Sequence, residues 1–448
     1  MSDKKDLTQG SVPKKLIQLT LPMMLGIISM VAFNLIDTFY VGQLGKTELA
    51  ALSFTFPVIM VIFSIIQGLG IGATALISKS IGMGNRQKAA RETTDSIVLT
   101  LFITGFFVIV GYFTIEPTFR LLGAEANTAP LVEEYMRIWY FALFFVSVPF
   151  VGNSAIRATG DARTPAFIML FAVVINAILD PILIFGLWGA PAMGLEGAAI
   201  ATAISRGMTM VLSFYILIRR EKLITFEVPS LDVFWGCWKS ILFIAIPSGI
   251  ARLVVPIATG IITLLLASYG EYAVAAFGVG SRIEFLASSI LFALSASIGP
   301  FAGQNFGKGY LNRIKEAIGV SSRFAIAWGL FVWAILVLFA RPIASVFNDN
   351  EEVIQTVQLF LWIVPAGFGL QGILSIVNSN LNTIGKPLQA FLIIVAQSLL
   401  FGIPAIYIGK QLAGIQGMFI AVAMTYILGG VISLVANNRI LKQLKTNP

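Results

Sequence analysis

Two acidic residues inside apolar segments are the first candidates for chemistry in this sequence. Asp37 lies in FNLIDTFYVG (33–42), where the flanking charges are Lys15 and Lys46, and Asp180 lies in VINAILDP (174–181). A charge at membrane depth costs at least ~2.5–3.5 kcal/mol on insertion scales, and such residues usually take part in transport. We therefore expect both acids to bind an ion.

Helix geometry places the two acids at one depth. At about 1.5 Å per residue, Asp37 lies ~10 Å from the end of a span near residue 44, and Asp180 lies ~10 Å from the end of a span near residue 187. Thr202 lies ~12 Å along a third span, which starts near residue 194 and runs in the opposite direction. Three oxygen-bearing side chains from three helices therefore share one level.

Two amides extend this set. Asn176 precedes Asp180 by four residues and Asn34 precedes Asp37 by three, so each amide is expected on the same face as its acid. Carboxylate, amide and hydroxyl oxygens suit H⁺ or Na⁺ and do not suit Zn²⁺. Two ionised carboxylates in an apolar site repel each other, and a bound cation removes that repulsion. The alternative is that the acids are unrelated, each capping a helix or facing a local water.

Prolines beside these segments are the expected hinges. Pro22 lies in LTLPMM, upstream of Asp37, and Pro181 directly follows Asp180. A proline inside a helix lacks one N–H donor, so it bends the helix and leaves a carbonyl free for coordination.

The composition indicates a polytopic helical membrane protein. The 448 residues are 57% hydrophobic and 12% charged, with a mean hydropathy of +0.88, whereas soluble domains carry about 25% charged residues. A single Cys and no His exclude a disulfide within the chain, a Cys-rich metal site and a Ser-His-Asp triad. Apolar runs of about 20 residues predict twelve spans: 16–44, 48–78, 95–116, 131–157, 164–187, 194–218, 240–267, 273–305, 314–340, 353–381, 387–409 and 414–438.

Lysine and arginine alternate between the connecting loops. One side carries 21 of them, and the other carries only Lys46, Arg120, Arg137, Arg341 and Lys410. The positive-inside rule then places both termini on the cytoplasmic side, and we expect the membrane to be the plasma membrane of a prokaryote. The 21 cations are Lys4, Lys5, Lys14, Lys15, Lys79, Arg86, Lys88, Arg91, Arg157, Arg163, Arg219, Arg220, Lys222, Lys239, Lys308, Arg313, Lys315, Lys386, Arg439, Lys442 and Lys445.

The two halves of the chain match at an offset of 225 residues. The matched pairs are Pro22 with Pro247, Gly45 with Gly270, Gly82 with Gly307, Gly84 with Gly309, and Gly160 with Gly385. With five residues deleted, GLEGAAIA (194–201) also matches GIQGMFIA (414–421). Six spans per half predict a parallel repeat, which forms two lobes around a central cleft. The expected division is an N-terminal lobe at 1–218, a cytoplasmic linker at 219–239 and a C-terminal lobe at 240–448.

The second half lacks the acid pair, because Ile262 replaces Asp37 and Val422 replaces Thr202. It carries Glu284, Arg252 and Arg282 near the expected midplane instead. These residues either form a structural salt bridge or, with Glu284 as the anion, bind a cationic substrate. In the first half, an adaptable apolar wall for substrate is expected from Met23, Met24, Met30 and Phe33.

The sequence resembles the multidrug and toxic compound extrusion (MATE) transporters over essentially its full length. The matching features are the twelve spans, the two halves, LTLPMM…FNLIDTFYVGQLG, VINAILDP, and SIGMGNRQKA with its copy NFGKGYLNRIKEA. More narrowly, it is similar to the DinF-like branch, whose N-lobe cation residues correspond to Asp37, Asn176, Asp180 and Thr202. That branch also bends its first helix at a proline, which corresponds to Pro22. The acid that other branches carry on the tenth helix is missing from 353–381.

The resemblance implies an all-α transporter and no enzyme. We expect an antiporter, acting as a monomer, that exports organic, often cationic or amphipathic drugs in exchange for H⁺ or Na⁺. No other cofactor or metal and no nucleic-acid partner is expected. The alternative is a lipid-linked oligosaccharide flippase of the same superfamily. Such a flippase needs a more basic cleft, and Arg206, Arg252 and Arg282 carry positive charge within the predicted spans. No motif in the sequence supports a channel or a membrane enzyme. GQNFGKG (303–309) departs from the pattern of a phosphate-binding loop.

Overall fold

The computed structural model describes residues 6–123 and 128–446, and its regular elements there are all helices. Lys4 and Lys5, which enter the predicted charge asymmetry, lie outside the described residues. The α-helices are α1 (Val12–Leu44), α2 (Lys46–Gly82), α3 (Arg86–Leu121), α4 (Ala129–Ala158), α5 (Arg163–Phe185), α6 (Gly194–Tyr215), α7 (Leu231–Ala267), α8 (Glu271–Gly307), α9 (Leu311–Leu338), α10 (Ala340–Phe347), α11 (Glu351–Ile363), α12 (Phe368–Thr383), α13 (Pro387–Val395) and α14 (Ile403–Thr446).

The predicted spans correspond to these helices. In the described part of the chain, eleven helical segments are long and apolar enough to cross a membrane. The tenth consists of α11 and α12, joined by a 3₁₀ turn at Val364–Gly367. The eleventh, Pro387–Lys445, contains the last two predicted spans, because the helix breaks at Ala413 and Gly414. The prediction of an all-α protein with twelve spans is therefore confirmed.

The chain forms two compact units. Unit 1 contains Leu21–Gly249, and unit 2 contains Leu7–Thr20 with the described residues of Ile250–Pro448. The units do not end where the sequence predicts the lobes to end, since residues 7–20 belong to unit 2 and residues 219–249 belong to unit 1. The predicted linker is also shorter in the structure, because α7 already begins at Leu231.

Hydrogen bonds explain why the segment before α7 belongs to unit 1. The backbone N–H of Thr225 donates to Thr94 Oγ1 (3.0 Å), and Arg91 Nη1 donates to the carbonyl of Glu227 (2.6 Å). Further along, Trp238 Nε1 donates to the carbonyl of Asp95 (3.2 Å). This segment is thus fixed along α3.

A similar set of bonds holds the first described residues in unit 2. Gln304 Oε1 accepts from the backbone N–H of Leu7 (3.0 Å), and Asn305 Nδ2 donates to the carbonyl of Leu7 (3.1 Å). Arg313 donates to the carbonyls of Gly10 (2.9 Å) and Leu7 (3.3 Å). The beginning of α1 therefore belongs to unit 2, and the chain enters unit 1 at Leu21, next to the expected hinge Pro22.

Replacing Arg313 with Ala is expected to loosen residues 7–11. The variant loses both carbonyl contacts and the bond from Nε to Asn305 Oδ1, and hydrogen bonds from a charged donor contribute about 1.5–3 kcal/mol. Trypsin should then cut at Lys14 or Lys15 at least about tenfold faster in detergent-solubilised protein, because local opening controls cleavage. The matched control is Lys315→Ala, on an exposed neighbouring side chain. Equal cleavage of both variants would contradict the prediction.

Backbone geometry supports the internal repeat. Gly84 and Gly309 have φ of 78° and 75°, and Gly160 and Gly385 have φ of 91° and 79°. Each pair is separated by the offset of 225, and left-handed backbone favours glycine at each turn. Gly197 and Gly417, from the second matched motif, also share a role. A Cβ at either position would collide with a backbone carbonyl of the preceding span, at Leu183 or Gly409 respectively.

Candidate functional site

Helix α1 presents Asp37 along a stripe of residues spaced by four. Phe33 and Val41, one turn before and one turn after Asp37, are buried at 4% and 0% exposure. Residues four apart lie on one face of a helix, so Asp37 points to the same side as its two apolar neighbours. Its Oδ1 atom is buried and has no hydrogen-bond partner in the described structure.

Helix α5 contributes an acid and an amide that are bonded to each other. Asn176 and Asp180 are fully buried, and Asn176 Nδ2 donates to Asp180 Oδ1 at 3.0 Å. Asn176 Oδ1 and Asp180 Oδ2 remain buried without a partner in the described residues. Pro181 lies inside the helix, and its ring removes the N–H that would bond to the carbonyl of residue 177.

The position of α6 against α5 depends on Gly197. A Cβ at this position would lie 2.5 Å from the carbonyl oxygen of Leu183 and 2.9 Å from the backbone N of Ile184. Only glycine allows this approach, which brings the start of α6 onto the end of α5. Thr202, five residues further along α6, is buried as well.

Asp37, Tyr135, Asn176 and Asp180 form the acid cluster. The carboxyl groups of Asp37 and Asp180 interact electrostatically, and the Tyr135 hydroxyl of α4 interacts with both. Tyr135 is buried and was not predicted. A depth count places it ~6 Å into span 4, above the ~10 Å level of the acids, so depth alone does not single it out.

Apolar side chains close the acid cluster on two sides. On one side, Val41, Ile184 and Ala198 belong to a large buried hydrophobic group. On the other side, Phe33, Ala172 and Val173 form a smaller one. Each group contains residues one helical turn from a member of the cluster. The polar cluster therefore lies between two apolar layers along α1 and α5, and an apolar surrounding strengthens its electrostatic interactions.

The unpartnered atoms of the cluster are all acceptors. Asp37 Oδ1, Asn176 Oδ1 and Asp180 Oδ2 lack a donor within the described residues, and buried polar atoms are normally hydrogen-bonded. A proton or a hard monovalent cation supplies what these oxygens lack. The residues described contain no group of three or more His, Cys, Asp or Glu that could hold a multivalent metal.

Known proteins match the whole chain. The MatE family profile matches residues 22–182 and again residues 247–408. The chain is 35% identical over 445 residues to a protein of Shewanella oneidensis named "FAD transporter", covering 99% of this chain and 98% of the relative. The chain belongs to the MatE family of membrane transporters. The two matched segments begin 225 residues apart, which is the offset of the internal repeat.

Further MATE proteins support this assignment. "Multidrug export protein MepA" of Staphylococcus haemolyticus is 25% identical over 92% of this chain and 90% of its own length. The crystal structure of the Vibrio cholerae MATE transporter VcmN in the bent form has a TM-score of 0.93 and 31% identity, covering 97% of this chain and 98% of that one. The fold is thus that of MATE transporters, while the DinF-like branch stays a prediction.

Not every predicted site residue of this MATE protein joins the acid cluster. Asn34 is exposed, and its Nδ2 donates to the carbonyl of Met30 in its own helix (3.0 Å). Three residues turn a helix by about 300°, so Asn34 lies beside the stripe that carries Asp37. Of the expected substrate wall, Met23 and Phe33 are buried, and Met24 and Met30 are half-buried. Their contact with substrate stays a prediction.

Unit 2 of this MATE protein has a separate polar site at Glu284. The Tyr426 hydroxyl of α14 donates to Glu284 Oε1 of α8 at 2.8 Å. Arg252 and Arg282 are exposed, and within the described residues neither forms an ion pair with Glu284. The predicted alternative of a structural salt bridge at Glu284 is therefore wrong, because a tyrosine takes the place of the cation.

Proposed function

We propose that this MATE transporter is a secondary active antiporter that exports small organic molecules in exchange for H⁺ or Na⁺. The observation that carries the proposal is the acid cluster, whose three unpartnered acceptor oxygens lie between apolar layers in unit 1. A monovalent cation binds to such a cluster because its positive charge cancels the repulsion between the two carboxylates. It needs no further cofactor.

The proposed cycle uses the charge of the cluster to move α1. A cation taken up at Asp37 and Asp180 neutralises the repulsion between the two acids. Helix α1 then bends near Pro22, where the chain passes from unit 2 to unit 1. A cation shifts the equilibrium between two conformations only through its different affinity for them. In this proposal the loaded cluster favours the conformation that releases substrate, and the unloaded cluster favours the one that accepts it.

The proposed setting is the plasma membrane of a prokaryote. The loop asymmetry in Lys and Arg supports cytoplasmic termini, and in this orientation the cluster lies in the outer half of the bilayer and is loaded from outside. The transporter is proposed to act as a monomer.

Two substrate classes follow from the relatives. The relative named as a multidrug export protein favours cationic or amphipathic drugs, with Glu284 as the partner of a cationic substrate. The relative named as an FAD transporter favours an anionic aromatic dinucleotide, with Arg252 and Arg282, which form no ion pair within the described residues, as its partners. The lipid-linked oligosaccharide alternative stays a hypothesis. Assays of envelope polymer synthesis test it.

Purified protein in proteoliposomes tests the proposal directly. A pH gradient and a Na⁺ gradient are imposed separately, with ethidium or FAD as the substrate. Accumulation of either compound against its gradient, driven by one of the cations and abolished by dissipating that gradient, is the expected result. Transport that ignores both gradients would overturn the antiport mechanism.

Replacing Glu284 with Gln is expected to separate the two substrate classes. The variant loses the negative charge in unit 2 but keeps an acceptor for Tyr426. We expect KM for ethidium to rise about tenfold, which corresponds to ~1.4 kcal/mol of lost attraction, while FAD transport is unaffected. Glu271→Gln, on an exposed acid of the same helix, is the control. Unchanged ethidium kinetics in Glu284→Gln would exclude Glu284 as a substrate ligand.

A further inference from the structure

Arg206 lies beside the acid cluster without a carboxylate bound to it. It is on α6, one helical turn after Thr202, and its guanidinium lies 4.1 Å from the centre of the Phe33 ring. Its Nη1 has only a long contact with Met169 Sδ (3.8 Å), and its Nε is buried without a partner in the described structure. A buried guanidinium nitrogen normally has a carboxylate or carbonyl acceptor, so the placement of this half-buried side chain needs a reason other than local bonding.

The charge of Arg206 acts on the cluster from a distance. Arg206 and Asp37 interact electrostatically, although no salt bridge within 4 Å joins them among the described residues. The titratable and charged groups that act on one another here are Asp37 on α1, Tyr135 on α4, Asp180 on α5 and Arg206 on α6. With both acids ionised and Tyr135 neutral, Arg206 compensates one carboxylate, and one negative charge is left over.

We propose that Arg206 is the permanent counter-ion of the acid cluster and thereby sets its capacity at one monovalent cation per transport cycle. The inference rests on the proposed antiport function. One cation brings the cluster and Arg206 to zero net charge between the two apolar layers. A second cation would leave an uncompensated positive charge there, which is unfavourable in an apolar environment. Without Arg206, neutrality requires two cations.

Arg206 also connects this charge balance to α1. Phe33 and Asp37 lie one turn apart on that helix, so the guanidinium touches α1 through the Phe33 ring and attracts it through Asp37. When a cation neutralises Asp37, the attraction is lost and the contact with the ring remains. Arg206 is therefore a positioning residue that makes the packing of α1 against α6 depend on the loading of Asp37.

The ratio of cation to substrate tests the inference. Proteoliposomes containing wild type, Arg206→Gln or Arg206→Lys are held at zero membrane potential with K⁺ and valinomycin. The ethidium or FAD gradient that just stops net flux is then measured against an imposed tenfold gradient of the coupling cation. Wild type and Arg206→Lys should balance at about tenfold, for one cation, and Arg206→Gln should balance at about hundredfold, for two.

A second neutral variant guards against misfolding of Arg206→Gln. Arg206→Met keeps an unbranched side chain against the Phe33 ring and removes the charge, so it should also balance at about hundredfold. A balance equal to that of wild type in the folded neutral variants would overturn the inference. If wild type itself shows no cation-driven flux, the antiport proposal fails before this inference is reached.

Discussion

Replacing Asp37 with Asn is expected to abolish cation-driven export while the protein still folds. The amide has nearly the same shape as the carboxylate, but it cannot ionise, so the cluster loses the charge that a cation neutralises. Arg206 would then balance Asp180 alone, and the empty cluster would already be neutral. Export against a gradient in proteoliposomes should fall at least about tenfold, since each ~1.4 kcal/mol of lost cation affinity is a factor of ten.

Glu116→Gln is the matched control for this experiment. It makes the same chemical change at an exposed acid of α3, which is paired with Arg120. Surface ion pairs contribute about 0–1 kcal/mol, so this variant should export like wild type. A thermal unfolding midpoint like that of wild type would show that Asp37→Asn is folded. If the folded Asp37→Asn variant still exports substrate uphill at the wild-type rate, Asp37 is not the coupling residue.

Replacing Gly197 with Ala is expected to destabilise unit 1 and to disturb the acid cluster. The added Cβ meets the backbone of Leu183 and Ile184, which cannot move aside as the tip of a side chain can. Overpacking of this kind costs about 1–3 kcal/mol, so the unfolding midpoint should fall by several degrees. Because α6 must move away from α5, the distance between Thr202 and Asp180 should grow, and cation affinity should fall as well.

Gly236→Ala provides the control on α7 of the same unit. Nothing lies within 4 Å of the Cβ that this substitution adds. Alanine inside a helix is more favourable than glycine by roughly 0.5–1 kcal/mol, so stability should stay the same or rise slightly. Two equally stable variants would show that the close approach of α5 and α6 does not depend on Gly197.

Depth along the predicted spans is the property of the sequence that brings the two acids of the cluster to one level. Asp37 and Asp180 each lie about two turns from the same end of their spans, and Asn176 lies one turn further from that end, on the same face as Asp180. The argument from spacing does not hold for Asn34. A spacing of three residues leaves a side chain about 60° away from its neighbour, and the amide bonds to its own helix instead.

Other features of the site depend on which helices are neighbours. Tyr135 of α4 belongs to the cluster and Arg206 of α6 lies beside it, and no pattern in those segments predicts which helix face turns toward α1. At Glu284 the sequence offered two arginines as partners, whereas packing supplied Tyr426 from a helix more than a hundred residues away. The unit to which residues 7–20 belong was likewise set by bonds to Gln304, Asn305 and Arg313, which are remote in sequence.

The sequence by itself determined that this is a twelve-span membrane protein with a repeat and an acid pair at one level. Those properties follow from hydropathy, spacing and the energetic cost of charge in lipid, each of which acts along one chain segment at a time. The tertiary structure decided the rest: which side chains face one another across the helices, where Arg206 lies relative to Asp37, and where the two units divide. Depth fixes one coordinate of a side chain, and only the rotation and packing of whole helices fix the other two.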